Sequence, residues 1–201
     1  MAYMTLTDLA RECPTVELAP GSELWPSDLT GAALLVVNEG LVVLRNVAAG
    51  STRRTITCYA GAGALILAPQ EGEALASLTD ATVATVSADA RDRLLEDPAA
   101  ARMLFDGLAE TLRQKHASIA SMSRLHHVDR IREKLLDLAR LHGRVGPDAV
   151  RLDFPLTHDL LGEMTGSARE TVTRALDQLQ REGFVVRRGR TYSLHVPPQR
   201  L

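Results

Sequence analysis

Several residue types and patterns are scarce in this sequence of 201 residues. Two cysteines, Cys13 and Cys58, are too few for a disulfide framework, and no group of Cys and His residues has the spacing of a zinc site. The longest uncharged run, residues 55–70, is broken by glycine and proline and is too short to span a bilayer. The chain does not open with a basic region followed by an apolar stretch, so no signal peptide is expected. These absences predict a soluble cytoplasmic protein with no membrane partner and no bound metal.

The net formal charge of −2 hides an uneven distribution of charge along the chain. Residues 1–97 carry 6 basic and 13 acidic side chains, whereas residues 98–201 carry 17 basic and 12 acidic ones. Any binding of a polyanion is therefore expected in the second half. Of the 23 basic residues only Lys115 and Lys134 are lysines. Arginine favours planar, bidentate recognition, and a GC-rich genome would raise its share as well.

The first half of the chain consists of short apolar runs separated by glycine, proline and polar residues. Runs of this length and spacing are typical of an antiparallel β-sandwich or barrel. Asn38, Glu39 and Gly40 stand between two of them and predict a tight hairpin in which glycine takes a positive φ angle. The alanine-rich segment 72–81 has little strand propensity. The predicted strands cover residues 33–37, 41–44, 55–59, 64–67 and 82–86.

A long helix is predicted from residue 99 to about residue 126, because this stretch has no proline and a single glycine. Along it runs a stripe, at steps of four and three residues, that is mostly apolar. The stripe is explained either by pairing with the same helix of a second copy or by packing on the chain's own β-domain, and both can hold together. We favour a homodimer whose interface is formed by Leu108, Leu112, Lys115, Ile119 and Met122.

Two short helices joined by a turn at Gly166 are predicted in the second half. Thr157 begins the first helix, and Ser167 is expected to cap the second one. Polar residues near the start of the second helix face away from its apolar positions, as in a helix-turn-helix. Residues 184–187 and 191–196 then predict a β-hairpin, a wing whose tip carries Arg188 and is suited to contact a phosphate.

These residues support a family resemblance. The stretch Gly-Ser-Ala-Arg-Glu-Thr-Val-Thr-Arg from Gly166 to Arg174, followed by Glu182-Gly183 and the hairpin, resembles the recognition helix and wing of the CRP/FNR family of bacterial transcription regulators. Residues 128–131 are similar to the start of that family's helix after the dimer interface. The resemblance implies an α+β fold: an N-terminal β jelly roll in residues 1–97, a dimerisation helix in 98–127 and a winged helix-turn-helix domain in 128–201.

The resemblance also implies roles for individual residues. In the cyclic-AMP receptor branch of the family, an arginine, the adjacent glutamate and a second arginine one turn later read the half-site TGTGA; these positions match Arg169, Glu170 and Arg174. Their chemistry agrees, because arginine binds guanine O6 and N7 and glutamate accepts from cytosine N4. His158 and Asp159 stand where that branch has Arg-Gln, and Ala168 stands where it has a phosphate-contacting serine. The predicted DNA-binding residues are Thr157, Ser167, Arg169, Glu170, Thr171, Thr173, Arg174 and Arg188.

The residues required by the family's known sensor chemistries are missing. A buried cyclic-nucleotide phosphate needs a cation, yet no arginine or lysine occurs between Arg54 and Arg91. An iron–sulfur cluster needs about four cysteines. All 6 histidines lie in the second half, which leaves the β-domain without a haem ligand. We therefore expect no cofactor and no requirement for cyclic AMP.

Two hypotheses about function follow. In the first, a homodimer regulates transcription with double-stranded DNA and RNA polymerase as partners, and its β-domain is a scaffold. In the second, an effector (a cyclic nucleotide or another small molecule) binds the β-domain or the dimer interface and shifts the population towards a DNA-binding state. Enzymatic activity is not expected, because the sequence has no nucleophile motif and no phosphate-binding loop.

Overall fold

The structure is a computed structural model that describes residues 5–47, 54–122, 126–189 and 191–195. The chain divides into two compact units, Met1–Ala117 and Ser118–Leu201. The predicted limits of the domains, at residues 97 and 127, stay predictions.

The described part of the first unit contains two four-stranded antiparallel sheets. The first sheet has the strand order β1-β8-β3-β6, and the second has the order β2-β7-β4-β5. The strands are β1 Thr15–Leu18, β2 Glu23–Leu24, β3 Ala32–Glu39, β4 Leu41–Val47, β5 Arg54–Gly61, β6 Leu65–Leu67, β7 Glu73–Ser77 and β8 Ala81–Ser87.

The main core of this unit contains side chains from both sheets. Leu35 and Val37 of β3 lie in one cluster with Val42 of β4 and Leu75 of β7, and all four side chains are fully buried. Burial of apolar surface between the sheets is the main source of stability for a sandwich of this kind.

Helices pack on the outer face of the sheet that contains β3. Leu34 and Val36, which alternate with the core residues of β3, lie there in a second cluster with Leu104. Since both faces of β3 are buried, the strand is a continuous apolar run rather than an alternating one. The described helices that begin in this unit are α1 Leu6–Leu9, α2 Ala88–Leu95 and α3 Pro98–Met122, with a short 3-10 helix at Pro26–Leu29; α3 continues into the second unit.

The predicted hairpin at residues 38–40 is wrong. Gly40 has the expected positive φ of 84°, but β3 and β4 on either side of it belong to different sheets. The glycine is required for a further reason: a Cβ atom at this position would lie 2.2 Å from the carbonyl oxygen of Asp80. The segment is thus a crossing between sheets, held close to the turn before β8.

The described part of the second unit contains the end of α3, three further helices and a small sheet. Ile131, Leu135 and Leu138 lie on one face of the first of these three helices and are fully buried. The strand order of the sheet is β11-β12-β10-β9. The elements are α4 His127–His142, β9 Arg144–Val145, β10 Val150–Leu152, α5 His158–Thr165, α6 Arg169–Arg181, β11 Val185–Arg188 and β12 Thr191–Leu194.

The predicted fold class is confirmed: the protein is α+β, with an N-terminal antiparallel β-domain, a long helix and a C-terminal winged helix-turn-helix. The predicted strands correspond to β3, β4, β5, β6 and β8, and the wing corresponds to β11 and β12. Within the described residues, no helix combines the length and hydrophobicity needed to cross a lipid bilayer.

Candidate nucleic-acid interface

Thr157 fixes the start of α5. Its hydroxyl oxygen accepts a hydrogen bond from the backbone N–H of Leu160 at 3.1 Å, which satisfies one of the unpaired donors of the first turn. The helix ends at Gly166, whose φ of 64° lies in the left-handed region that glycine adopts without strain. A helix N-terminus with an exposed threonine is a suitable place for a phosphate contact.

Ser167 does not cap α6, so the predicted cap is wrong. The cap residue is Ala168, whose extended backbone (φ −69°, ψ 150°) makes the helix begin one residue later than expected. The side chain of Ser167 is 9% exposed, and its hydroxyl lies 3.2 Å from Nδ1 of His127 on α4. Ser167 therefore links the turn to α4, and its predicted contact with DNA stays a prediction.

The two faces of α6 have opposite character. Val172, Leu176 and Leu179 are at most 1% exposed and anchor the helix in the core. On other faces of α6, Arg169, Glu170 and Arg174 are exposed. The structure thus presents on the surface of one anchored helix the three residues predicted to read bases, while Thr171 is half-buried.

Arg169 forms an ion pair with Asp159 of α5. Its Nη1 lies 3.8 Å from the carboxylate, and the two side chains are 68% and 64% exposed. An exposed pair of this kind contributes only about 0.2–1 kcal/mol. Arg169 can therefore leave Asp159 for another acceptor at little cost.

Hydrogen bonds connect α5, α6 and the wing. Nδ1 of His158 lies 2.8 Å from the hydroxyl of Thr173, and Nε2 of His158 lies 3.0 Å from Nη1 of Arg187. The hydroxyl of Thr173 in turn donates to the backbone carbonyl of Arg169 at 3.0 Å. Thr173, predicted to contact DNA, therefore uses its single hydroxyl proton inside the protein. Neither His158 nor Arg187 was predicted as a site residue, because their contact joins positions 29 residues apart.

The wing is anchored at its base and exposed at its tip. At the base, Arg132 of α4 donates a hydrogen bond to Glu182, and its guanidinium group stacks 5.3 Å from the centroid of the Phe184 ring. At the tip, Arg188 is exposed, and its backbone carbonyl accepts from the hydroxyl of Thr191 at 2.9 Å. The predicted phosphate-contacting position therefore lies at the end of a fixed hairpin.

The stripe on α3 has two parts. Leu108 is half-buried and packs against the second apolar cluster of the β-domain, and Lys115 is also half-buried. By contrast, Leu112 and Ile119 are 55% and 66% exposed. Packing on the β-domain therefore accounts for Leu108, and pairing with a second copy stays a prediction.

One exposed apolar residue was missed. Phe105 is 70% exposed and precedes Leu112 and Ile119 at steps of seven residues. The heptad spacing was the signal that could have identified it. The side chain of Met122, the last predicted interface residue, lies outside the described residues.

In the described part of the β-domain, the cations beside the stretch without basic residues are paired. Arg54 and Arg91, which flank the stretch without cations, are paired with Glu23 at 2.7 Å and with Asp92 at 2.6 Å. Cys58 is 2% exposed within the main core. Among the residues that the structure describes, no group of three His, Cys, Asp or Glu side chains is placed to hold a metal ion.

Comparison with known sequence families adds an independent observation. Residues 129–199, which run from the first turn of α4 to beyond β12, match the family described as Crp-like helix-turn-helix domain. The second unit carries a Crp-like domain. This domain includes every predicted DNA-binding residue, and the resemblance to the CRP/FNR family predicted from the sequence is confirmed.

Relatives with curated names are similar over part of the chain. The global nitrogen regulator of Synechocystis is 34% identical over 93 residues, which are 46% of this chain and 41% of that protein. The CRP-like cAMP-activated global transcriptional regulator of Mycobacterium tuberculosis is 26% identical over 116 residues, which are 57% of this chain and 52% of that protein. The matches thus span about half the length of these relatives.

A solved structure is similar over nearly the whole chain. FixK2 from Bradyrhizobium japonicum superposes with a TM-score of 0.78 over 94% of this chain and 95% of that chain, at 22% sequence identity. At 22% sequence identity, the similarity shows a shared fold. The β-domain, the long helix and the Crp-like domain therefore occur together in another protein in the same chain order.

Proposed function

We propose that this protein is a homodimeric transcriptional regulator that reads palindromic TGTGA-like sites with α6 and needs no cyclic AMP. The observation that carries the proposal is the surface of α6: Arg169, Glu170 and Arg174 are exposed on a helix that Val172, Leu176 and Leu179 anchor in the core. These side chains have the hydrogen-bonding groups that recognise guanine and cytosine in the major groove. The partners that this function implies are double-stranded DNA and RNA polymerase.

The exposed stripe on α3 supports the homodimer. Phe105, Leu112 and Ile119 are large apolar side chains with heptad spacing, and each is more than half exposed in the single chain. A second copy of the same helix would cover them in a two-fold symmetric interface. Two-fold symmetry places two recognition helices about 34 Å apart in successive major grooves, which requires a palindromic site.

The charge pattern of the β-domain supports independence from cyclic AMP. The stretch between Arg54 and Arg91 contains Glu71, Glu73 and Asp80 but no basic residue. The carboxylate of Glu73 accepts a hydrogen bond from the backbone N–H of Gln70 at 3.1 Å and so closes the turn before β7. A phosphodiester placed in this segment would meet carboxylates instead of a cation, which is unfavourable.

Fluorescence anisotropy of the nucleotide-free protein tests the proposal. At physiological salt, we expect tight binding to a duplex with a TGTGA-type palindrome and weak binding to a scrambled duplex of the same composition. Equal affinity for both duplexes would contradict base-specific reading. Sedimentation of the same protein is expected to give the mass of a dimer, and a monomer would contradict the proposed symmetry.

A pocket in the first unit favours ligand-gated regulation as the alternative. It has a volume of about 560 Å³ and lies among α1, α2 and the 3-10 helix, with Cys13, Leu29, Arg93 and Leu94 in its lining. Its lining is mixed, because Glu12, Asp28 and Arg93 lie among apolar side chains, and a pocket with both kinds of group can hold a small molecule. Under this alternative, added cyclic AMP or another effector is needed for tight binding to the palindrome.

A further inference from the structure

We infer that His158 is a positioning residue that, in its neutral form, holds the wing and the recognition helix together as one DNA-reading surface. This inference rests on the proposed function. It is carried by the geometry at the junction, where the ring contacts Thr173 of α6 at 2.8 Å and Arg187 of β11 at 3.0 Å. His158 itself belongs to α5, so one side chain connects three elements.

The chemistry of the partners assigns the proton on the ring. A guanidinium group only donates hydrogen bonds, so Nε2 of His158 accepts from Nη1 of Arg187 and carries no hydrogen. The neutral ring then carries its hydrogen on Nδ1 and donates to the hydroxyl oxygen of Thr173. The hydroxyl of Thr173 in turn donates a hydrogen bond to the backbone carbonyl of Arg169. The chain of donors runs in one direction, from the wing to the first turn of α6.

Arg187 is held from two sides by this arrangement. Its Nε donates to the carbonyl of Gly189 in the wing turn at 2.8 Å, while its Nη1 donates to His158. The guanidinium group thus bridges the wing tip and the helix-turn-helix. Loss of the acceptor on His158 would leave Arg187 bound to the wing alone.

Protonation of His158 would break the contact with Arg187, because both groups would then be positively charged donors. Burial, and after it the guanidinium groups of Arg187 and Arg169, lowers the pKa of His158, whereas Asp177 and Asp159 act in the opposite direction. The net direction favours the neutral ring near neutral pH. The contact is therefore expected at neutral pH and is lost as the pH falls.

The tautomer of His158 can be measured without DNA. Long-range ¹H–¹⁵N correlation spectra of the full chain at pH 7.5 are expected to show a ring protonated at Nδ1, assigned by the loss of its signals in His158→Gln. A ring protonated at Nε2 would overturn the inference, because such a ring cannot accept from Arg187.

Two substitutions separate the two hydrogen bonds. In His158→Asn the amide nitrogen can replace Nδ1 towards Thr173 but cannot reach Arg187; in His158→Gln the amide oxygen can replace Nε2 as the acceptor. We expect the Asn variant to bind the palindrome about tenfold more weakly, as for the loss of one hydrogen bond to a charged group. The Gln variant keeps the acceptor for Arg187 and loses only the bond to Thr173, so it is expected to bind more tightly than the Asn variant. His195→Gln, an exposed histidine of the same unit, is the matched control.

The pH profile gives the final test. Because Gln does not titrate, the ratio of wild-type Kd to His158→Gln Kd is expected to rise as the pH falls from 7.5 to 5.5. A flat ratio, or equal affinities for the Asn variant and the wild type, would overturn the inference. If the wild type bound the palindrome and the scrambled duplex with equal affinity, the proposed function would fail. The tautomer measured by NMR would still show whether His158 connects the wing to α6.

Discussion

Arg169 stands at the first position of α6, with most of its side chain in solvent and only a weak ion pair to Asp159. We predict that Arg169→Ala weakens binding to the palindrome by about 1–3 kcal/mol and relaxes the preference at one guanine, because a bidentate contact is lost. Anisotropy titrations on duplexes with each base at that position measure both effects. An equal loss on specific and scrambled DNA would show that Arg169 contacts phosphate instead.

At the scale of single residues, the sequence was sufficient where local rules decide. Helix periodicity and capping preferences predict the cap at Thr157, the turn at Gly166 and the exposed residues of α6. Ser167 was misplaced because serine is the better N-cap by local preference, whereas its hydroxyl contacts His127, which is distant in sequence, and Ala168 takes the cap position. The link between His158 and Arg187 joins two elements distant in sequence, and no spacing rule indicates such a contact.

At the scale of elements, the wing has a role that differs from that of α6. Arg188 is exposed at the end of β11, beside the turn at Gly189. We predict that Arg188→Ala weakens binding to all duplexes alike and lowers the slope of log K against log salt by about 1, because one phosphate contact is lost. Titrations at several salt concentrations give the slope. An unchanged slope would contradict a phosphate contact at the wing tip.

Helix α3 allows a test of the proposed homodimer. Ile119 is 66% exposed and is the last of the three heptad-spaced apolar residues, after Phe105 and Leu112. We predict that Ile119→Asp gives a monomer in sedimentation and binds the palindrome roughly a hundredfold more weakly, since two half-sites are no longer bound by one linked molecule. Ala117→Asp introduces the same charge at an exposed position of the helix outside the stripe and is expected to stay dimeric. A dimeric Ile119→Asp protein would contradict the proposed interface.

The strands were predicted from their apolar runs, but their partners were not. A run such as residues 33–37 shows burial and carries no information on which strand lies beside it, so the turn at Gly40 was interpreted as a hairpin. The alanine-rich strand β7 was difficult for a different reason. It lies between β2 and β4 with Ala74 and Ala76 at most 1% exposed, so packing overrides its low strand propensity.

At the scale of the whole molecule, histidines make stability depend on pH. Burial is the largest cause that lowers the pKa of His127, His142 and His158 below the ordinary value of 6.5. The unfolded chain then binds more protons than the folded one, so the free energy of unfolding falls as the pH drops through about 6.5. We predict a lower Tm at pH 5.5 than at pH 7.5, measured by circular dichroism.

A substitution isolates this contribution. His142→Gln removes one of the three groups and is expected to make the decrease in Tm smaller, while His195→Gln is expected to follow the wild type. Hydrogen bonds from Thr5 lower the pKa of Asp8 below its ordinary value of 3.8, so this carboxyl group does not contribute between pH 5.5 and 7.5. A Tm that stays constant from pH 7.5 to 5.5 would contradict the prediction.

The pairing of β1 with β8 has a consequence for synthesis on the ribosome. Residues 15–18 pair with residues 81–84, so β1 emerges long before its partner exists. At about 5–20 residues per second, this delay lasts roughly 3–13 seconds. Until β8 has been made, β1 and the edge of β3 that pairs with β8 expose unpaired backbone groups, with which another nascent chain can pair. The sheet of β1, β8, β3 and β6 can be completed only after β8 has been translated. The yield of folded protein in the cell is therefore expected to depend on translation rate and chaperones as well as on the stability of the fold.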